Sequence, residues 1–259
     1  MSINILDHDQ IAGLEGLSVA ERVSRFFAEL SLGIDKFNAK NLNKSIHVVQ
    51  QGNLFTKLGA KNNYFDVSYK HIASPVLFNQ RLASFEEFVD LNLQGIGAMK
   101  VVMSQAEDIY RGLKLTAAKG TVPVSMFSFE TASLVTVLKD RADAAFSAGN
   151  PSTRPVSEMY PSWSIANTMF QRFNKEVASL KSRDAEILVK QVDQVIEVAK
   201  LVKRKIQSSE IILNNDQLGV LDDALSSLTV NVNFIGLLLN NISELTRLFQ
   251  IHIEELDKL

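Results

Sequence analysis

The stretch Ala224–Ser243, ALSSLTVNVNFIGLLLNNIS, decides the fold, because it holds twenty consecutive uncharged residues between Asp223 and Glu244. Such a stretch could cross a membrane, form a buried core helix, or serve as a surface for another protein. Eight of its residues are Ser, Thr or Asn, and asparagine amides are costly to place in hydrocarbon. The composition therefore argues against a membrane span and favours a helix packed against protein.

An apolar repeat extends this stretch in both directions into one long helix. From Leu218 to Leu256 the apolar positions alternate in steps of three and four, and only Thr246 departs from the pattern. Further apolar residues lie outside that stripe, namely Phe234, Leu237, Leu238, Leu245 and Leu248. They widen the apolar arc beyond what a single partner helix covers, so we expect more than one neighbour.

A second apolar series precedes this helix and predicts a partner for it. The series runs from Ala166 to Ile206, and only Asp184 interrupts it. All five prolines lie before Ser162, so none can break either series. We predict two helices of roughly 40 to 45 residues each, joined by a short loop near residues 208–217 into an antiparallel hairpin.

The charges of the two predicted arms are complementary. Residues 162–208 carry nine basic and five acidic side chains, whereas residues 209–259 carry two basic and eight acidic ones. In an antiparallel hairpin the basic end of the first arm lies beside the acidic start of the second. Basic side chains at the C-terminal end of the first arm and acidic side chains at the N-terminal start of the second also interact favourably with the two helix dipoles.

Capping motifs upstream predict further helices. The sequences SVAE at Ser18–Glu21 and SFEE at Ser84–Glu87 have the spacing of capping boxes that begin a helix. Together with the apolar periodicity they predict helices over about 18–51 and 85–118, and the periodicity alone predicts a third over about 128–148.

The sequence thus predicts an all-α fold, an elongated helical bundle with a long, coiled-coil-like, antiparallel hairpin at its C-terminal end. Residues 1–150 form an N-terminal helical region, residues 151–161 a linker rich in Pro, and residues 162–259 the hairpin. Residues 52–75 are rich in aromatic side chains and fit either a short β-hairpin or an irregular segment.

No motif in the sequence predicts catalysis or a bound cofactor. The chain has no cysteine, and its four histidines show neither an HExxH motif nor a pair at helical spacing. Gly95 and Gly97 lack the third glycine of a dinucleotide-binding fingerprint and lie inside a predicted helix. We predict no catalytic residue, no metal and no cofactor, and we expect that the protein is not an enzyme.

Charge and the N-terminal sequence limit the partners and the location. A net charge of −2 and a pI near 6.1 give no general attraction to nucleic acid, so we do not expect nucleic acid as a partner. The N-terminal residues lack the basic and apolar regions of a secretory signal. We therefore expect a cytoplasmic or virion location, no membrane span, and protein partners in a homo-oligomer or larger assembly.

Two groups of residues are candidates for an interface. The first is uncharged, as subunit interfaces tend to be, and comprises Asn231, Asn233, Phe234, Leu237, Leu238, Asn240 and Asn241. The second is the aromatic pair Tyr160 and Trp163, which could anchor a partner. The alternative for the first group is the chain's own core, and for the second a hydrophobic staple under the base of the hairpin.

A polar layer is predicted inside the hairpin. In an antiparallel register centred on the loop, Asp184 of the first arm lies opposite Asn240 and Asn241 of the second. A buried polar contact at this level would fix the register of the two helices.

These features favour a non-enzymatic structural subunit of a larger protein assembly, acting through helix–helix interfaces. In general texture the chain is similar to the helical head, neck or tail proteins of tailed bacteriophages, so the assembly favoured is a virion. The alternative is a cytoplasmic helical adaptor or regulator that binds one partner through its hairpin.

Overall fold

The structure, a computed structural model, describes residues 70–79, 83–127, 132–146, 152–180 and 182–257 of the 259-residue chain. Within these residues the fold is all-α, as the apolar repeats predict, with six α-helices and one two-stranded sheet. The predicted helix over 18–51 and residues 52–69 of the predicted hairpin or irregular segment lie outside the described residues.

The elements follow the predicted order closely. They are β1 (His71–Ser74), α1 (Phe85–Lys119), α2 (Ala132–Ala145), β2 (Ser152–Pro155), α3 (Val156–Met159), α4 (Trp163–Ala178), α5 (Ser182–Gln207) and α6 (Asn215–Asp257), with a 3-10 turn at Val124–Met126. The 43-residue α6 confirms the long C-terminal helix. Helix α1 matches the predicted 85–118 to within one residue, and α2 lies inside the predicted 128–148.

The prediction of one continuous helix for the first arm is wrong, because the structure divides that arm into α4 and α5. Ser179 Oγ donates a hydrogen bond of 2.6 Å to the Glu176 carbonyl. The backbone N–H groups of Ser179 and Leu180 bond carbonyls three residues back, each at 3.0 Å. These bonds tighten the last turn and end the helix, and the serine competes for backbone groups that a longer helix would use.

The sheet joins two segments that are far apart in the sequence. Strand β1 pairs antiparallel with β2, with His71 opposite Pro155 and Ser74 opposite Ser152. Residues 71–74 are therefore a strand, but their partner lies in the tract 151–161 predicted as a linker and not in a local hairpin. That tract also holds α3 and the fully buried Tyr160.

Contacts divide the chain into two compact units. Unit 1 includes Met99–Ser133 and Glu186–Asn233, and unit 2 includes residues 70–98 together with Leu134–Ala185 and Phe234–Leu259. Each unit combines residues from before and after the tract 151–161, and α1 and α6 each supply residues to both.

The core of unit 2 is aromatic. The Phe249 ring of α6 lies with its centroid 4.9 Å from that of Phe170 and 4.7 Å from that of Phe173, both in edge-to-face geometry. It also lies 6.1 Å from the Phe85 ring of α1. Such aromatic pairs contribute about 0.5–1.5 kcal/mol each beyond the area that they bury. Phe249 therefore ties α6 to both α1 and α4.

The core of unit 1 is aliphatic and follows the predicted stripes. Most stripe residues in this unit are buried, on α5 (Leu188, Val192, Val195, Ala199, Val202) and on α6 (Leu221, Leu225, Leu228, Val232), while Ile206 and Leu218 are half-buried. Close packing also involves α1, where a Cβ placed on Gly112 would lie 2.5 Å from Cζ of Phe127. The apolar repeat thus identifies core positions on each of these helices.

Helices α1 and α6 run antiparallel in unit 2 and approach each other closely at a glycine. Phe85 lies near Phe249, and Gly95 lies near Leu238, so the sequence numbers fall on one helix as they rise on the other. A Cβ on Gly95 would lie 2.7 Å from Cδ1 of Leu238 and 2.8 Å from its Cβ. Glycine is required here because any side chain would push the helices apart.

We expect Gly95→Ala to lower the free energy of unfolding by about 1–3 kcal/mol through overpacking against Leu238. Gly97→Ala is the matched control, because a Cβ there meets nothing within 4 Å and the residue is exposed. The control should gain about 0.5–1 kcal/mol, since alanine orders a helix at a lower entropic cost than glycine. Urea denaturation of both variants measures the difference, and equal effects would contradict the close contact.

Candidate protein-interaction site

The four asparagines in the uncharged stretch of α6 lie in different environments. Asn231 and Asn241 are buried, with 8% and 4% of their surface exposed, whereas Asn233 and Asn240 are exposed. The predicted apolar members of the same group are also divided, because Phe234 and Leu238 are buried and Leu237 is half-buried. Only the exposed and half-buried members can meet a partner without opening the fold.

Those accessible members share one face of α6. Asn233, Leu237 and Asn240 are spaced by four and three residues, which places them on one side of a helix. None of the three is charged. The face is therefore narrower than the sequence predicts, but it keeps the uncharged character on which that prediction rests.

Asn231 belongs to a buried polar layer between α6 and α1. Its Nδ2 donates to Oε1 of Gln105 at 2.9 Å, and Nε2 of Gln105 donates to Oγ of Ser227 at 3.1 Å. Gln105, 3% exposed, thus bridges two residues one turn apart on α6. Sequence reasoning missed it, although a lone glutamine on the apolar face of α1 was the available signal.

The polar layer predicted around Asp184 is not formed through Asn241. Nδ2 of Asn241 is buried without a hydrogen-bond partner in the described part of the chain, so it does not donate to Asp184. Asp184 itself is half-buried, and Asn240 is exposed. The contact of Asp184 with Asn240 stays a prediction, and Gln105 marks the register of a different helix pair, α6 against α1.

The aromatic pair lies inside unit 2. Tyr160 is fully buried, and Trp163, the first residue of α4, is 7% exposed. Ser162 caps α4 by accepting a hydrogen bond from the Ile165 N–H at 3.2 Å. The burial of both rings matches the alternative in which they pack beneath the helices, and neither ring is available as a surface anchor.

Tyr160 is hydrogen-bonded to a buried histidine of α6. Its hydroxyl lies 2.6 Å from Nδ1 of His252, and Nε2 of His252 lies 2.7 Å from the Ala73 carbonyl. Because a carbonyl can only accept, Nε2 carries the proton and Nδ1 accepts from the tyrosine hydroxyl. Burial lowers the pKa of His252 to about 4, although the bond to Ala73 opposes this, and burial raises the pKa of Tyr160. Both side chains are therefore neutral near pH 7.

The most exposed large apolar side chain in the described residues lies in the loop between α5 and α6. Ile212 is 84% exposed, whereas its neighbours Ile211 and Leu213 are 5% and 7% exposed. The other large apolar side chains exposed in the described residues are Val124 at 55%, Val137 at 57%, Leu201 at 36% and Ile251 at 46%. We call residues 208–214 the α5–α6 loop.

Hydrogen bonds hold the α5–α6 loop in one conformation. Ser209 adopts a left-handed backbone with φ of 60°, and the Ile211 N–H donates to the Lys205 carbonyl at 3.1 Å. At the other end, Asn214 and Gln217 form a reciprocal capping box, with bonds of 2.8 Å and 3.1 Å. Ile212 is thus fixed in an exposed position between two anchored residues.

The loop is also tied to the end of α1. Nζ of Lys205 donates to the Ala117 carbonyl at 3.1 Å and forms an ion pair of 3.6 Å with Glu210. Gly120 ends α1 with a φ of +67°, and its position lies against Ile211. The end of unit 1 that carries Ile212 therefore combines α1, α5 and α6.

Two further properties bear on the kind of site. Across the residues that the structure describes, no group of three or more His, Asp or Glu side chains could hold a metal ion.

Helix α6 is long and apolar enough to cross a membrane, with a mean hydropathy of 1.2 in its most apolar window, but 56% of that window is buried within the protein. A core helix of this length and composition passes the same test.

Comparisons with protein-family models, with curated proteins and with solved structures each find no match. The described surface presents two candidate contact features, the uncharged face of α6 and the exposed Ile212 on the α5–α6 loop.

Removing Asn231 should destabilise the protein far more than removing its neighbour Asn233. Asn231→Ala leaves Oε1 of Gln105 buried without a donor, which we expect to cost about 1–3 kcal/mol of unfolding free energy. Asn233→Ala, on the exposed face, should change it by no more than about 0.5 kcal/mol. Chemical denaturation of the two variants provides the measurement, and similar values for both would contradict the buried layer.

Proposed function

We propose that the protein is a non-enzymatic structural subunit of a larger protein assembly, and that the α5–α6 loop is one of its contact points. The observation that supports this most is Ile212, which is 84% exposed on a loop held by a capping box and by backbone bonds. An adjoining protein surface would remove this side chain from water.

The order of the loop makes that contact favourable. Covering a fully exposed isoleucine contributes about 1.5–3 kcal/mol. A flexible loop would lose part of this gain, because ordering it on binding costs conformational entropy. Here Ser209 and the Asn214–Gln217 capping box already set the conformation in the free protein. An apolar side chain presented in this way has the properties of an anchor residue at an interface.

The outer face of α6 supports the same proposal. Asn233 and Asn240 are exposed, uncharged and separated by two helical turns, with Leu237 between them. Uncharged amides can pair with another chain without the large desolvation penalty that charged side chains carry. This face and the α5–α6 loop give the subunit two surfaces, as repeated assembly requires.

The kind of assembly is proposed from the sequence texture alone. Long helices, uncharged asparagine-rich stretches and the lack of a recognisable catalytic motif favour a virion component of the type found in tailed phages. The alternative is a helical adaptor that binds a single partner protein through the same loop. The two differ in stoichiometry, since an adaptor does not need to associate with copies of itself.

Substitution of Ile212 tests the proposed contact. We expect the wild-type protein to exceed its monomer mass of 28.8 kDa as concentration rises, and Ile212→Asp to shift it towards that mass. Because Ile212 is exposed, the variant should keep its unfolding free energy to within about 0.5 kcal/mol. Size-exclusion chromatography with light scattering, over a roughly tenfold concentration range, measures the effect.

Val137→Asp is the control. Like Ile212, Val137 is an exposed β-branched apolar residue, but it lies on α2, in unit 2. It should leave the mass profile unchanged. A protein that stays monomeric at every concentration, or one that associates equally well with Asp at position 212, would contradict self-assembly through this loop and favour the adaptor.

A further inference from the structure

We propose that residues 70–79 form a clasp on the C-terminal part of α6, and that protonation of His252 opens it. The clasp is closed while the His252 ring is neutral and bonded to both Ala73 and Tyr160. This device would act whether or not the protein is an assembly subunit, since it depends only on contacts inside unit 2.

Three hydrogen bonds attach the clasp to α6. Nζ of Lys70 donates to the Glu255 carbonyl at 3.3 Å, Nε2 of His252 donates to the Ala73 carbonyl at 2.7 Å, and the Val76 N–H donates to Oε1 of Glu244 at 3.0 Å. Residues 244, 252 and 255 are separated by eight and three positions, so they lie on one face of the helix. The clasp therefore follows α6 over about three turns.

At its C-terminal end the clasp is anchored, since the Phe78 ring lies 5.3 Å from the rings of Phe85 and Phe88 of α1 and the Asn79 N–H donates to the Ala145 carbonyl of α2 at 2.9 Å. Strand β1 itself pairs with one short strand. Its partner is the four-residue strand β2, which adds a bond of 3.2 Å from Nε of Arg154 to Oγ of Ser74, and the Val156 N–H bonds the Lys70 carbonyl at 2.9 Å. A two-stranded ribbon is marginally stable by itself. The bonds to α6 consequently contribute to holding β1 closed, together with the buried Ile72 and the anchor at Phe78.

The central bond depends on the protonation state of one ring. Nδ1 of His252 accepts from the Tyr160 hydroxyl at 2.6 Å, and both side chains are fully buried. A proton added to Nδ1 faces the hydroxyl proton, so the hydroxyl must turn away and lose Nδ1 as its acceptor. The buried site would then hold a positive ring and an unpaired hydroxyl proton, and both are costly.

The charged groups around the ring offer no direct partner for that positive charge. Among the described residues, the charged or titratable groups on the elements that hold the ring include Glu244 and Glu255 on α6, Lys70 and His71 on the clasp, Arg154 on β2 and Glu158 on α3. Both ring nitrogens of His252 are already bonded to Tyr160 and Ala73, so none of these carboxylates bonds the ring. Oε2 of Glu255 is buried without a hydrogen-bond partner among the described residues.

The direction of the pH effect follows from the pKa of His252 in the two states. Its pKa is about 4 when the clasp is closed and near the ordinary 6.5 when the ring meets water. The open state therefore binds more protons between pH 6.5 and 4, and the clasp loses stability as the pH falls through that range. Each unit of pH inside the window favours the open state by about tenfold.

Amide hydrogen exchange of the full-length protein tests the proposal, with exchange times scaled to the intrinsic rate at each pH. At pH 7 the amides of residues 71–79 should be protected. At pH 4.5 their protection should fall by at least about tenfold, while that of the core of α1 should change much less. Unchanged protection of residues 71–79 down to pH 4.5 would overturn the proposal.

Two variants separate protonation of the His252 ring from effects of acid on other groups. His252→Gln keeps an N–H that can donate to the Ala73 carbonyl but cannot take up a proton, so its clasp should stay closed at pH 4.5. Tyr160→Phe removes the donor to Nδ1 and should move opening to a higher pH. Opening of His252→Gln at the same pH as wild type, or an unchanged opening pH in Tyr160→Phe, would assign the effect to other groups.

Discussion

Helix α6 carries apolar side chains around most of its circumference, and a helix of that kind must be covered on several sides. In unit 2, Phe249 meets Phe85 of α1 and both Phe170 and Phe173 of α4, while the clasp bonds a further face. In unit 1, the polar contact with Gln105 adds α1 as a neighbour. The positions of the other elements follow from this need to cover α6.

The polar residues of α6 show how the same helix tolerates side chains that are not apolar. Thr246, the single exception in its stripe, donates from Oγ1 to the Ile242 carbonyl at 2.8 Å and so remains satisfied while buried. Asn231 and His252 reach partners on other elements. Polar groups that are satisfied inside the protein can specify register at little cost in stability, whereas unsatisfied ones are costly.

Periodicity and capping residues were sufficient to predict the helical class, α1 and α6, because these signals are local in sequence. The break at Ser179 escaped prediction, since it depends on short-range serine bonds that compete with the helix. The pairing of β1 with β2 and the bridging by Gln105 join distant segments, which a single sequence does not reveal. For the same reason the asparagines of α6 could not be sorted into buried and exposed ones.

The buried side of α6 belongs to the core of this chain, while its exposed face, with Asn233, Leu237 and Asn240, stays open to another protein. Amide exchange over residues 224–243, measured without detergent at two protein concentrations about tenfold apart, tests this assignment most directly. A core helix predicts strong protection that is the same at both concentrations. Protection that is lost on dilution, or that appears only in detergent, would contradict the assignment.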